Sequence, residues 1–378
     1  MHRQITCLWK EPQVAKGYQS AVSLHGHTIY SRESLDFIPE HAAGTPILRW
    51  LLSLKEQEAL RKRSIVTDFH RAHWTPPMTP NAAYELEYGQ IARQLGLFAM
   101  VSLTDHDNIQ APLRLRVHKE GLNVPISVEW TVPYEDSELH LGVHNLPPAR
   151  AEAMVVAMNE YTANPRERAL KAMLADLDNT EDVLIVLNHP LWDLCRLGEE
   201  AHLNLLRSFI AKLGQYVHAL ELGGLRSWEE NRRTYEIAVQ INQPVIGGGD
   251  RHGCEPSGVV NLTNATCFSE FVQEVRKRRT HVLFMPQYAK PLWTRVLQTV
   301  LDVSRHQPDH ILGPYWDDRT FHPDRDGVMK PLSQLWVRRP RFIEAVFAVF
   351  RLLENDAIRQ TIASPQQQMD FSLTREEA

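Results

Sequence analysis

Seven short apolar runs, spaced so that most are separated by a helical pattern, constrain this chain more than any other feature. They are Ala21–Leu24, Leu97–Leu103, Val124–Val132, Leu139–Val143, Val183–Leu187, His218–Leu222 and Val245–Ile246. Length and β-branched content suit strands buried on both faces. Helical periodicity fills Ala82–Gly96, Ala149–Asn164, Ala169–Asp176, Glu200–Leu213 and Ser227–Ile241. Strand and helix in alternation predict a parallel α/β protein, and about seven strands suit a closed barrel better than an open sheet. Two stretches break the rhythm. Pro39 to Pro80 is an insertion with a helix expected over Ile47–Arg63 and a Pro-rich turn at Trp74–Pro80. From Pro291 strands give way to helical segments, Leu292–His306 and Arg341–Asn355, around a loop rich in Asp, His, Pro and Arg.

The expected organisation is a short lead over residues 1–18, a barrel over 19–290 carrying the insertion 39–80, a helical extension over 291–363 and a polar, disordered tail over 364–378. A net charge of −5 excludes a general nucleic-acid coat, which needs an excess of cations. Four scattered Cys form no CxxC pair, so neither a zinc ribbon nor a disulfide scaffold is expected. No signal peptide and no apolar run long enough to cross a membrane is visible, so a cytoplasmic protein without membrane attachment is expected.

The unusual count is 18 His. His25 and His27 follow the first run. Residues i and i+2 of an extended chain share a side, so both imidazoles can chelate one ion. Roughly one HxH arises by chance in such a composition, so the pair means little alone. Further His, Asp and Glu fall at or near other strand ends, namely Asp105-His106-Asp107, Glu129, His140, His189 and Asp250-Arg251-His252. Barrel active sites gather at the carboxyl ends of the strands. Imidazole with carboxylate suits Zn, Mn or Fe, and eight such groups exceed what one ion can use. Glu129, flanked by Val128 and Trp130, is a carboxylate that needs a partner if buried. Gly247–Gly249 lacks the Lys-Ser/Thr of a P-loop, so these glycines are expected to permit close backbone approach instead.

In their order, His25-Gly-His27-Thr28, Thr104-Asp105-His106, Glu129, His140-Leu-Gly142, Asn188-His189-Pro190 and Gly248-Gly249-Asp250-Arg251-His252 resemble the PHP superfamily, named for polymerase and histidinol phosphatase. The resemblance spans Val22 to Pro286. It implies a distorted (β/α)7 TIM-like barrel with two or three divalent ions, in hydrolases mostly of phosphoesters. Carried over by residue, His25, His27, Glu129 and Asp250 hold one ion. Glu129, His140 and His189 hold a second, and His106 and His252 belong to a third. Arg32 stands where the family carries a ligand.

From these residues a metal-dependent phosphoesterase is expected, acting on a small phosphorylated substrate. Two cations would share a water and lower its pKa toward neutrality. His252 or His106 would protonate the leaving alkoxide. Arg32 and Arg251 would take the remaining phosphate oxygens. The same hydroxide could attack a carbonyl, so an amide hydrolase is the alternative, with a non-catalytic metal scaffold ranked below it. His144 is expected to donate to a ligand. The cluster His70, His73 and Asp68 is weighed as a lid, and His306, Asp309, His310, His322 and Asp324 as a solvated loop.

Overall fold

The computed structural model describes residues 5–35, 66–117, 124–336 and 341–352, with residue 339 and single positions between 53 and 61. The expected helix Ile47–Arg63 lies largely outside the described residues, and the expected polar tail wholly so. The chain divides into two compact units. One is built mainly from Met1–Tyr30 and Met78–Val296, the other from Ser31–Pro77 and Leu297–Ser364.

Strands of the first unit are β1 (Ile5–Cys7), β2 (Ser20–Ser23), β5 (Phe98–Val101), β6 (Val128–Tyr134), β7 (Ser137–His144), β8 (Leu184–Leu187), β9 (Ala219–Gly223), β10 (Val245–Gly248), β11 (Val259–Thr263) and β12 (Val282–Phe284); β3 (Glu33–Ser34) and β4 (His73–Trp74) lie in the second unit. Between them run α1 (Pro80–Gln90), α2 (Gln110–Arg116), α3 (Ala151–Ala163), α4 (Glu167–Asn179), α5 (Glu199–Leu213), α6 (Trp228–Gln240) and α7 (Phe268–Arg276), with α8 (Leu292–Ser304) after β12. The seven expected strands all form, each within a few residues of its apolar run. Three more were illegible. β1 forms inside the segment read as a lead and pairs in parallel with β12, and β11 pairs antiparallel with both β12 and β2.

These ten strands make two five-stranded sheets, in the orders β1-β12-β11-β2-β5 and β10-β9-β8-β7-β6. The ladders are mixed. β6 and β7 pair antiparallel across a tight turn at Glu135-Asp136, and β7 also pairs antiparallel with β8. No closed barrel is formed by these ladders among the described residues. Two isolated bridges stitch sheet to sheet, Gly26 to Arg251 and His106 to Glu129. Around them, Gly249 N donates to Leu24 O, His27 N to Arg251 O, and Asp107 N to Glu129 O, all at 2.8–2.9 Å.

Alternation along β8 shows where the core sits. Leu184 and Val186 pack with Val22, Leu24 and Met100 of the other sheet and with Ala219 and Ile246. Ile185 and Leu187 face the opposite way, into a cluster with Trp130, Met158, Leu174 and Phe209 under the helices α3, α4 and α5. Period-two alternation thus buries both faces of one strand. The helices start and stop where local chemistry dictates. Thr79 caps α1 by accepting from Ala82 N at 3.3 Å, with Pro80 in the first turn. Gly96 ends the helical run at φ +67°, a left-handed conformation that glycine enters without strain.

In the second unit, β3 and β4 join β13 (Thr320–Pro323) and β14 (Met329–Pro331) in a four-stranded sheet of order β14-β13-β4-β3. The extension expected to be helical therefore contains strands, followed by α9 (Leu332–Leu335) and α10 (Arg341–Leu352). His322, expected in a solvated loop, is buried in β13, where its Nε2 accepts from Asp68 N at 2.9 Å. His73 lies in β4 against Phe321, and His70 is exposed. On α10, Val346 and Val349 are exposed.

Candidate metal centre

The carboxyl ends of β2, β8 and β10, the start of β6 and the middle of β7 bring six predicted ligands together. His25 and His27 follow β2, His189 follows β8, and Asp250 follows β10, while Glu129 and His140 lie within β6 and β7. His25, His189 and Asp250 have positive φ, 61°, 28° and 48°. Such a backbone costs roughly 1–3 kcal/mol per non-glycine residue and persists only where the surroundings impose it. Here the imposed turn aims each side chain inward.

Glu129 is buried at the centre. Its Oε2 lies 3.0 Å from His25 Nε2 and 3.3 Å from His27 Nε2. Asp250 Oδ1 lies 3.6 Å from each of the same two nitrogens. A tetrahedral ion with ligand bonds of about 2.0–2.1 Å has edges of about 3.3–3.4 Å. His25, His27 and Glu129 therefore offer ligand atoms close enough for one ion, with Asp250 beside both imidazoles. His25 Nε2, Glu129 Oε2 and Asp250 Oδ1 are all buried and make no hydrogen bond. Buried polar atoms are ordinarily satisfied, so this set fits a cation.

The other oxygen of Glu129 faces a second group. Oε1 is 3.3 Å from His140 Nδ1 and 3.1 Å from His189 Nε2, and those two nitrogens are 3.3 Å apart. This triangle matches one face of a second tetrahedron. His106 Nε2 lies 3.5 Å from Glu129 Oε2, and His106, Glu129 and His140 offer ligand atoms within 4.8 Å of one another. The rings of His106 and His252 each stack on His27, with centroids 4.9 and 4.2 Å away. Both are only partly buried, at the open side of the cluster.

Charge is balanced within this set. Burial opposes the charged form of His25, but Glu129 and Glu221 outweigh it and hold its pKa well above the ordinary value. Burial likewise opposes charge on Glu129, yet His25, His106 and His140 pull its pKa well below the carboxylate range. Asp250 is lowered in the same way, burial being outweighed by His27, His252, His25 and Arg226. A proton on His25 thus stands in for positive charge that a cation would bring.

Of the two arginines expected at the phosphate, one is engaged elsewhere. Arg251 is buried. Its Nε lies 3.0 Å from Glu87 Oε1, while Nη1 donates to Gly253 O and Nη2 to His27 O. Asp250, at φ +48°, faces the cluster, whereas the side chain of Arg251 turns to Glu87. Arg32 belongs to the second unit, where it is exposed and its charge, after burial, lowers the pKa of His73. Replacing Arg251 by Met is expected to cost about 3–5 kcal/mol of stability in urea unfolding, because Glu87 is left buried without its counter-ion. A phosphate-binding role would instead raise KM at unchanged stability.

His144 also differs from expectation. Its Nδ1 pairs with Ser102 Oγ at 2.8 Å rather than with a ligand. Burial pushes its pKa down to about 3, with the nearby charge of His25 adding to the effect. The folded chain therefore keeps His144 neutral where the unfolded chain protonates it, below about pH 6.5. Its contribution is intact above that pH and is lost as pH falls toward 3. Between pH 7 and 5 this amounts to about 2 kcal/mol. His144→Gln should flatten the acid limb of stability measured in urea by that amount; an unchanged limb would contradict the assignment.

Several supporting residues were not among those assigned to an ion from the sequence. Asn188 Nδ2 donates to Glu129 Oε1 at 2.9 Å. Asp105 accepts from Thr28 N and Thr28 Oγ1, at 2.6 and 2.7 Å, fixing the turn after His27. Glu221, in β9, is buried with its Oε2 2.7 Å from His25 Nδ1. Arg226 Nη2 donates to Asp250 Oδ2 at 3.0 Å. For Glu221 the available signal was an acid inside the apolar run His218–Leu222.

No family model matches this chain, and no curated protein matches it. Solved structures give distant likenesses. A protein from Bifidobacterium adolescentis assigned as a metal-dependent phosphoesterase is 16% identical, covering 69% of this chain and 96% of its own, with a TM-score of 0.36. An amidohydrolase from Chromobacterium violaceum, with bound sulfate and no metal, is 14% identical over 59% of this chain and 92% of its own, at 0.34. PsfC from Pseudomonas syringae is 15% identical over 58% and 88%, at 0.36. At such scores these likenesses lend no weight to the role of any residue here. Among the described residues no helix is long and apolar enough to cross a membrane.

Proposed function

We propose that this chain is a metal-dependent hydrolase of the PHP type, acting on phosphate esters, with its two sheets and two stitching bridges forming a distorted barrel around the site. The observation that carries the reading is Glu129, buried, with one oxygen facing His25 and His27 and the other facing His140 and His189. A carboxylate so placed is the natural bridge between two divalent ions, and the residues about it supply imidazole and carboxylate suited to Zn, Mn or Fe. His25, His27, Glu129 and Asp250 would hold one ion; Glu129, His140 and His189 would hold the other. Such ions supply Lewis acidity and an activated water at neutral pH.

The chain's own groups do the rest. His106 and His252, partly open and stacked on His27, are placed to hand a proton to the leaving oxygen. Asn188 holds Glu129 against rotation, leaving Oε2 for the first group. Buried surroundings strengthen each of these interactions by excluding water.

Elemental analysis of purified protein, with a panel of phosphoesters and cyclic amides, tests the reading. About two equivalents of a divalent metal and phosphoester turnover are expected, both falling sharply in His25→Ala and Asp250→Ala. Turnover of amides alone would assign the alternative chemistry. Activity surviving both substitutions would refute the site.

A further inference from the structure

β9 and the turn after it contribute no candidate ligand, yet they touch two of them from behind. Glu221 Oε2 accepts from His25 Nδ1 at 2.7 Å. With the proton fixed on Nδ1, the lone pair of His25 lies on Nε2, the atom aimed at Glu129 and Asp250. Gly248, paired with Gly223 at the end of the β10 ladder, lets this happen, since a Cβ there would run into the Glu221 carboxylate.

Arg226 does the same for Asp250. Its Nη2 holds Oδ2, which turns Oδ1 toward His25 and His27. The guanidinium is itself fixed, lying 3.9 Å from the centroid of the Trp192 ring. The turn that presents it is braced too: Arg295 Nη2 and Tyr288 OH both donate to Arg226 O, at 3.0 and 3.1 Å. Such bracing is needed where a ligand must be held to within about 0.5 Å.

We infer that Glu221 and Arg226 are positioning residues that set the tautomer of His25 and the carboxylate orientation of Asp250, and so make β9 the element that tunes the first metal group. This rests on the metal-site reading above. It predicts that the two ion sites respond differently, because the hydrogen bonds of Glu221 and Arg226 go to His25 and Asp250.

The test is Co2+ titration of the full chain, following the visible absorption of the bound ion and competing with a chelator of known affinity. Glu221→Gln and Arg226→Met should each weaken one of two sites by about 10–100-fold and leave the second unchanged. Arg226→Lys should restore only part of the affinity, since a point charge neither forks nor stacks as guanidinium does. Thermal melting of the chelated protein separates positioning from mere structure. The melts of the variants should stay within a few degrees of the unsubstituted chain. Two sites of unchanged affinity in both variants, or an affinity loss matched by collapse of the chelated melt, would overturn the inference alone. Failure of the unsubstituted chain to bind Co2+ would overturn the metal-site reading with it.

Discussion

Glu129→Gln is expected to release both ions and to lower turnover by at least about a thousand-fold, the largest effect of any single substitution in this chain. The amide keeps the shape of the side chain, and its oxygen can still accept from Asn188. What it loses is the charge that both groups share. Neither remaining set, His25 with His27 and Asp250, or His140 with His189, keeps the bridging anion. The variant should nevertheless fold, because Glu129 contributes no side chain to the apolar clusters on either side of the strand. Metal content and initial rate on the best substrate of the panel measure the outcome. Two ions retained with near-normal rate would show that Glu129 is not the bridge.

Stripping the ions should lower the melting temperature by on the order of 10 °C. A ligand that binds only the folded chain stabilises it by about 4 kcal/mol when present at a thousand times its dissociation constant. For a chain of 378 residues, 1 kcal/mol moves the midpoint by about 1–1.5 °C, so two such ions together give the expected shift. The chelated protein should remain folded, because a proton on His25 balances Glu129 and Glu221. That proton must leave when an ion enters. Apparent affinity should therefore rise with pH, and the gap between loaded and chelated melts should be wider at pH 8 than at pH 6. Calorimetric scans with and without chelator at the two pH values read this directly, and a gap that narrows with rising pH would contradict it.

The strands were legible because burial on both faces writes itself as short apolar runs, as in Val183–Leu187. Ile5–Cys7 and Val282–Phe284, three residues each, are too short to show any period, and their partners lie at opposite ends of the chain. The same limit hid the four-stranded sheet of the second unit, where His73 pairs with Phe321. Nothing local in either segment announces so distant a partner.

The clustering of His25, His27, His189 and Asp250 was legible because they follow strand ends, where side-chain type and position coincide. Arg251 was misread because closeness in sequence was taken for closeness in direction; its guanidinium turns away to Glu87, on α1. Glu221 left a signal, an acid within an apolar strand, and a buried carboxylate always demands a partner. Arg226 left none. Its role depends on where a turn carries it, which no spacing rule encodes.

Anomalous diffraction from crystals grown with Zn2+ or Mn2+, recorded at the absorption edge of the metal, tests the central claim most directly. Two peaks should appear. One should lie among His25 Nε2, His27 Nε2, Glu129 Oε2 and Asp250 Oδ1, the other beside Glu129 Oε1, His140 Nδ1 and His189 Nε2. A map with no peak within bonding distance of Glu129, at ion concentrations that saturate the protein in solution, would contradict the account.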